Sequence, residues 1–575
     1  MAVDFNIMVG GEAGQGVQSV GIILARTLSQ GGLHVFADQD YESRVRGGHN
    51  FFRVRVSDNK VLALSEKLDV LVALNKETIA LHNEELKTNG VIIFDEEETK
   101  FEATGDKYFS VPLGRLAEDT VQNKLMTNTV AVGAVIGLTG YDFSRLSVVL
   151  EREFARHGEK ITRDNVVAAK AGFDFARTHS KWKPGQRIRP KSGGNRKILL
   201  NGNEALALGA MVGGCKFIAG YPMTPASSIL EYMADKGREY GVVAVHVEDE
   251  IAAINMAVGA AYTGVRAMVA TSGGGFCLMV EGLALAGMTE TPIVAVLGQR
   301  PGPATGLPTR TEQGELWFAL HAGHGEFPRT VMAPATAEEV FHCIIKAFNL
   351  AEKYQTPVIV LTDHHLATSY ATVDRFDLKQ VKIDRGELLS DDEANRITDY
   401  KRHLVTDSGI SPRAFPGQGK ALVVTDSDEH DEAGHMIEDA ETRNQQNLKR
   451  LRKNNGLKDD IMNPKFHQEP DAELTLIGWG STYGAVKEAA DLLKKYGTAV
   501  NTLNLSEIWP FPTELIVSVL SSGSRSVVIE GNATAQLAGL IRRETGYETG
   551  NTILKFDGRP FSPEEIVGRL QKEVL

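Results

Sequence analysis

Val242-Val243-Ala244-Val245-His246-Val247-Glu248-Asp249-Glu250, running straight on into IAAINMAVGAAY, which ends at Tyr262, is the stretch on which the reading of the fold turns. An apolar run hands over to three acids and then to a pattern of small apolar residues that suits a helix. A strand that is apolar at nearly every position is buried on both faces, the mark of a parallel sheet covered by helices. The alternation repeats outward from this point. Residues 267–270 precede Thr271-Ser272-Gly273-Gly274-Gly275 and a helix from Phe276, and residues 292–298 and 357–363 are further near-continuous apolar strands. Upstream, residues 5–9 end in Gly10-Gly11, and residues 17–28 read as an amphipathic helix. Residues 91–94 form another short strand, and residues 129–138 (TVAVGAVIGL) suit a buried helix packed closely on a neighbour. Downstream, strands at 474–480, 500–505 and 526–530 surround a helix at 483–496 and make a compact three-strand α/β unit. The chain therefore reads as α/β, with three doubly wound domains and no short-period repeat.

Two segments interrupt this order. Residues 181–197, KWKPGQRIRPKSGGNRK, hold two prolines, three glycines, seven Lys/Arg and no acid, and read as a linker. From about 370 to 470 charge dominates. DSDEHDE at 426–432 has five acids in seven residues, and KRLRK at 449–453 has four bases in five. A partly helical excursion with solvated charged faces is expected there. Neighbouring acids in one run seldom converge on one ion, so no metal site is assigned to Asp428-Glu429-His430-Asp431. A length of 575 residues fits three to four domains, and 24% charged with 42% hydrophobic residues is ordinary for a globular chain. The formal charge, 62 − 74 = −12, gives no nucleic-acid footprint. Cys215, Cys277 and Cys343 are far apart, which excludes a disulfide framework and a four-cysteine zinc or iron–sulfur site built by this chain alone. MAVDFNIMVGGEAGQG has no basic region followed by an apolar one, so no signal peptide is expected. No apolar run approaches the roughly 18–20 residues of a membrane span. The expectation is a soluble, cytoplasmic chain that engages neither membrane nor nucleic acid.

Four places carry candidate chemistry. Gly10-Gly11-Glu12-Ala13-Gly14-Gln15-Gly16 opens a helix after a strand, where exposed N–H groups favour an anion such as phosphate, although neither GxGxxG nor a P-loop is matched. Downstream, Arg44 and Arg46 beside Gly47-Gly48 suit a polyanion such as coenzyme A or a nucleotide. Tyr221-Pro222-Met223-Thr224-Pro225-Ala226 brackets a threonine between two prolines, giving either a helix-capping turn or a rigid loop that presents the Thr224 hydroxyl. At Glu248-Asp249-Glu250 the acids cap a helix, or one of them, held among apolar neighbours, shares a proton with a heterocycle. Arg300 ends the strand before PGPATGLPT, and its planar fork suits a small carboxylate.

YPMTPASS (221–228), VEDEIAAINMAVGAA (247–261), ATSGGGFCLMVEG (270–282), QRPGPATGLPT (299–309), HGEFPR (324–329), GISPRAFPG (409–417), EHDEAGH (429–435) and GWGSTYGAVKEA (478–489) resemble the α subunit of the 2-oxoacid:ferredoxin oxidoreductases. GGEAGQGV (10–17) and ESRVRGGHN (42–50) resemble that family's γ subunit, fused here ahead of α. The resemblance implies a γ-type, CoA-side domain at 1–180, a linker at 181–197, and a thiamine-diphosphate pyrimidine-binding domain at 198–385. A charged excursion at 386–470 and a transketolase C-terminal-like domain at 471–575 complete it. It implies thiamine diphosphate chemistry on a 2-oxoacid, with CoA as co-substrate and electrons passed to ferredoxin. Glu250 matches the catalytic glutamate that meets the aminopyrimidine N1′. Thr224 and Arg300 match substrate-carboxylate contacts, with Tyr221 and Thr309 as further pocket residues. Gly14, Gln15, Gly16, Arg44 and Arg46 fall on the CoA side. One departure is Gly273-Gly274-Gly275, where family members often carry a proline.

The chain has no Gly-Asp-Gly followed by Asn, the diphosphate–magnesium signature of thiamine enzymes, and no cysteine cluster. Mg2+ and [4Fe–4S] are therefore expected on a partner β subunit, in an (αβ)2 assembly that shares thiamine diphosphate. The subgroup most resembled acts on 2-oxoglutarate, giving succinyl-CoA. Pyruvate or a branched-chain 2-oxoacid is the alternative substrate. A non-catalytic dinucleotide or electron-transfer scaffold, and a purely structural partner, are the readings from other classes.

Overall fold

The computed structural model describes residues 3–43, 47–185, 188–191 and 197–575. The chain divides into two compact units. The first comprises residues 1–201, 368–376 and 562–565, and the second comprises 202–367, 377–561 and 566–575.

In the first unit eight strands, among the described residues, form one mixed sheet. Its parallel half runs Tyr108–Ser110, Leu86–Phe94, Leu68–Ala73 and Asp4–Glu12. An antiparallel half continues through His49–Ser57, His34–Asp40, Tyr370–Val373 and Ile198–Asn201. Two short strands from residues expected in the middle domain thus complete the first sheet. The apolar pattern of 129–138 becomes the helix Thr127–Thr139, packed on Glu159–His179. A Cβ at Gly133 or Gly172 would strike the backbone of the facing helix, so small residues let the two helices nearly touch. Of the expected linker, Trp182 donates its indole N–H to Asn89 O at 2.7 Å, and Ile188 is buried, so this part lies along the first unit.

The second unit holds two sheets. The larger runs Glu507–Trp509, Thr330–Met332, Pro357–Asp363, Ile293–Gln299, Arg266–Thr271, Cys215–Gly220 and Val243–His246, parallel except for its first strand. The three interior strands Pro357–Asp363, Ile293–Gln299 and Arg266–Thr271 are buried at every residue, as their composition requires. The smaller sheet runs Lys465–His467, Asn501–Leu505, Leu474–Trp479, Arg525–Glu530 and Asn551–Leu554. Two edge strands thus flank the three that the apolar pattern marks.

The charged segment corrects its sequence reading. Lys449, Arg450 and Lys453 of KRLRK, on the helix Ala440–Asp460, are buried together with Arg402, His403, Arg413 and His430. Their partners are equally buried acids: both lysines engage Glu290, and Arg266, Arg385 and Arg413 surround Glu352. A charge run looks solvated only while its counter-ion, here Glu290, 159 and 163 residues before Lys449 and Lys453, is out of view.

Candidate active site

The loops of interest all leave the carboxyl ends of the larger sheet's parallel strands. From Cys215–Gly220 the chain crosses to Val243–His246 on one side, and the following strand, Arg266–Thr271, lies on the other. That reversal opens a crevice between Cys215–Gly220 and Arg266–Thr271, the place where α/β sheets take ligands.

Glu250 is the first residue of the helix Glu250–Tyr262. Capping falls to Asp249, whose side chain accepts Ala252 N–H at 2.8 Å. Glu250 is therefore not needed as a cap, and its side chain turns inward and is 3% exposed. The Thr271 hydroxyl lies 3.5 Å from Glu250 Oε1, and on its other side 4.0 Å from Met223 Sδ. Next to Met223, Thr224 accepts Arg300 Nη1–H on its backbone oxygen at 2.7 Å. Asn203 Nδ2 donates to Pro225 O at 2.7 Å and to Ser228 Oγ at 2.8 Å, so the proline-bracketed loop is braced from two sides. Burial lowers the Arg300 pKa, an effect that the nearby Glu315 carboxyl opposes.

The run Gly273-Gly274-Gly275 begins the helix Gly273–Met288. A Cβ at Gly275 would collide with Glu250 Oε1 and Thr271 Oγ1, and one at Gly273 with Glu315 Oε1. A Cβ at Gly274 would stand 4.0 Å from Ala304 O, without a clash. The two outer glycines are thus the room that two carboxyl groups occupy. Glu250, Thr271, Thr224, Arg300 and Glu315 form a ring around this turn. Burial, reinforced by Glu312 and opposed by Arg300, raises the Glu315 carboxyl to about 8, and Glu315 Oε2 is buried with no hydrogen-bond partner among the described residues.

Tyr221 lies at the rim, 42% exposed, with its ring 6.2 Å from that of His246. Thr309 is buried in the loop between Arg300 and Gln313. Gln313 ties that loop to the smaller sheet, donating its backbone N–H to Gly531 O at 2.6 Å and its amide to Trp479 O at 2.8 Å. Sequence reasoning missed Thr271 and Glu315.

In the first unit, Gly14 and Gly16 adopt φ of +92° and +74° at the start of the helix Val17–Ser29. Open space lies over Gly14. The Gln15 side chain turns back to brace this loop: its Oε1 accepts Glu12 N–H at 2.6 Å and its amide donates to Leu74 O at 3.4 Å. Arg44 and Arg46 lie outside the described residues.

Of the acid–His–acid run, His430 meets other possible metal ligands in Glu290 and His403. Two lysines already occupy that carboxylate, a charge balance that repels a cation. Among the described residues no helix is long and apolar enough to cross a membrane.

The three blocks each match a family model. Residues 6–175 match pyruvate ferredoxin/flavodoxin oxidoreductase, 208–449 its thiamine-diphosphate-binding region, and 472–566 core domain II of pyruvate:ferredoxin oxidoreductase. They define an α/β oxidoreductase of the thiamine-dependent kind. Within that class the chain belongs to the 2-oxoacid:ferredoxin oxidoreductase α subunits, so it is one subunit of a multi-subunit enzyme. It is 34% identical to the Sulfolobus α subunit over 99% of this chain and 96% of that one. It is 31% identical to the 2-oxoglutarate oxidoreductase subunit KorA of Mycobacterium tuberculosis, over 99% and 91%. The 2-oxoglutarate:ferredoxin oxidoreductase of Magnetococcus marinus, solved with 2-oxoglutarate, coenzyme A and succinyl-CoA bound, superposes with a TM-score of 0.92 at 32% identity, covering 100% of both chains.

Proposed function

We propose that this chain, with a β subunit, converts 2-oxoglutarate and CoA to succinyl-CoA and CO2, and reduces ferredoxin. The observation that carries this reading is the ring of Glu250, Thr224 and Arg300 around a side-chain-free turn, in a chain that matches the 2-oxoglutarate enzyme of Magnetococcus marinus from end to end. The buried carboxyl of Glu250, opposite a turn that lacks Cβ atoms, fits an aminopyrimidine edge. Thiamine diphosphate, when bound, supplies the carbanion that attacks the keto carbon and takes the electrons left by decarboxylation. Glu250 shares a proton with the pyrimidine N1′, and the Thr271 hydroxyl steadies its Oε1. Arg300 pairs with the substrate carboxylate through the part of its fork not used by Thr224 O. The Thr224 hydroxyl adds a second contact, and Tyr221 and Thr309 line the pocket.

The diphosphate, Mg2+ and [4Fe–4S] groups belong to the β subunit in this reading. Its docking face is the pair of helices that carries the site. Glu250–Tyr262 and Gly273–Met288 are apolar nearly all round, yet Ile251, Met256 and Leu278 are 48%, 42% and 48% exposed. A helix apolar on every side is built to be covered. CoA is taken by the first unit at Gly14–Gly16, with Arg44 and Arg46 as further anion contacts. The proposed functional division follows 1–180, 198–385, 386–470 and 471–575, except that residues 198–201, 368–376 and 562–565 go with the first unit.

The test is anaerobic dye reduction by the complex of this chain with β, using CoA and a panel of 2-oxoacids. The expected result is reduction with 2-oxoglutarate that needs both CoA and β, and that falls about 10²–10⁴-fold in Glu250→Ala, the usual range for an acid–base group. Activity confined to pyruvate or a branched-chain 2-oxoacid would overturn the substrate assignment. Inactivity toward every 2-oxoacid in a cofactor-loaded complex would overturn the catalytic reading.

A further inference from the structure

In the first unit, three titratable side chains line up beneath the glycine turn. The Glu85 carboxylate Oε1 lies 2.7 Å from His82 Nδ1, and His82 Nε2 lies 2.8 Å from His49 Nε2. Arg53 Nη2 donates to Glu85 Oε2 at 2.8 Å. Burial pushes the Glu85 pKa up, but the His82 N–H and Arg53 outweigh it and hold the carboxyl below its ordinary range. An ionised carboxylate only accepts hydrogen bonds, so His82 carries its proton on Nδ1. In the neutral relay His82 Nε2 is then an acceptor, His49 must donate from Nε2, and His49 Nδ1 is left as a lone pair. That Nδ1 is buried and has no hydrogen-bond partner among the described residues. The His49 ring lies over Gly10, where a Cβ would sit 3.2 Å from its Cε1. The tautomer order therefore fixes an unused acceptor beside the loop that leads to Gly14 and Gly16.

We propose that the Glu85–His82–His49 relay is an acceptor locked in one tautomer, which reads an N–H or O–H donor on the nucleotide half of coenzyme A. The inference rests on the reading above that the first unit takes CoA. A neutral imidazole offers no charge to a phosphate, but it completes a ribose hydroxyl or an adenine amine lying next to phosphates held at the turn. Protonation of His49 turns the acceptor into a donor and ends the contact. Burial lowers the His49 pKa, and His82 lowers it further, while Glu77, Asp40 and Glu42 oppose them. Glu12, its strand neighbour across the ladder, is the remaining acid facing it, with Glu85 and Arg53 behind His82.

The experiment is calorimetric titration of the complex of this chain with β, using CoA and adenosine 3′,5′-bisphosphate between pH 5.5 and 8.0. Wild type, His49→Phe, His49→Asn and Glu85→Gln are compared. The ligand's own phosphate ionisation is common to all proteins and cancels in their ratios. Expected are a wild-type affinity at pH 7.5 at least fivefold above that of His49→Phe, for both ligands, and a ratio that holds or narrows on acidification, since burial and His82 keep His49 neutral below the ordinary histidine range. His49→Asn, which keeps an acceptor that cannot be protonated, should keep the same affinity ratio to His49→Phe at pH 5.5 as at pH 7.5. Glu85→Gln should lose part of the advantage at every pH. Equal binding by wild type and His49→Phe overturns the proposal, and so does a ratio that widens on acidification, which means a cationic His49 on phosphate. Dependence seen with CoA but not with the bisphosphate also overturns it. A wild-type complex that binds no CoA defeats the underlying reading instead. If His49→Phe does not fold, the wild-type to His49→Asn ratio across the pH series and the wild-type to Glu85→Gln ratio decide.

Discussion

Glu315 shows what a single side chain does at this site. Its carboxyl, raised to about 8, is neutral at pH 7, so at that pH it leaves Arg300 free for the substrate carboxylate proposed to bind there. Above pH 8 it ionises and becomes that competitor. The expected outcome is a KM for the 2-oxoacid that rises severalfold between pH 7.5 and 9, with kcat little changed, and a flat KM in Glu315→Gln. Steady-state kinetics across this range check it, and a parallel rise in the variant would place the titrating group elsewhere. The glycines at 273 and 275 belong to the same account. In the sequence, the triplet Gly273-Gly274-Gly275 looks like loose backbone. In the structure, Gly273 and Gly275 are the space that Glu315 and Glu250 fill.

At the scale of elements, the helix Ala440–Asp460 is the instructive case. Its lysines at 449 and 453 reach one carboxylate, Glu290, which also accepts His403 Nδ1 at 3.0 Å. Two buried ammonium groups against one acid leave an excess of positive charge, and burial lowers the Lys449 pKa to about 7 despite Glu290. Because this folded value lies below the ordinary 10.5, between about pH 7 and 10.5 the unfolded chain holds a proton that the folded chain has released. Stability from this group therefore rises with pH across that interval. Denaturant titrations at pH 7 and 8.5 should show wild type gaining stability relative to Lys449→Met, and an identical pH slope in the two would refute the assignment. Glu290→Gln strands both lysines and should cost about 3–5 kcal/mol, the range for breaking a buried ion pair. Apolar periodicity located the interior strands and the tightly packed helix Thr127–Thr139, because burial on both faces is written in composition. It could not locate this helix, whose buried face is ionic and whose counter-ion sits 159 residues back in the chain.

At the scale of the whole molecule, most of the candidate site could be read because its residues stand at strand ends, where glycine, proline and charge break an apolar run. Glu250, Thr224 and Arg300 all announce themselves in that way. Glu315 and Thr271 do not, since each matters only through what folds against it. The proposed docking face is a property of the assembled chain in the same sense. Leu278→Asp, on the exposed stripe, should leave the Tm of the isolated chain within about 0.5 kcal/mol-equivalent of wild type, as surface substitutions do, while weakening its complex with β. Size-exclusion chromatography of the mixed subunits checks this, and an unweakened complex would move the interface to another face.

The first sheet also has a history in time. Val35 N–H donates to Thr372 Oγ1 across 337 residues of sequence, so the strand His34–Asp40 lacks its outer neighbour until Tyr370–Val373 has left the ribosome. At 5–20 residues per second that is a wait of roughly 20–70 s. For that time the nascent chain carries an open strand edge that nothing downstream has yet been synthesised to close. Such an edge invites pairing with another nascent copy on the same polysome. Translation speed therefore sets how long that edge stays open.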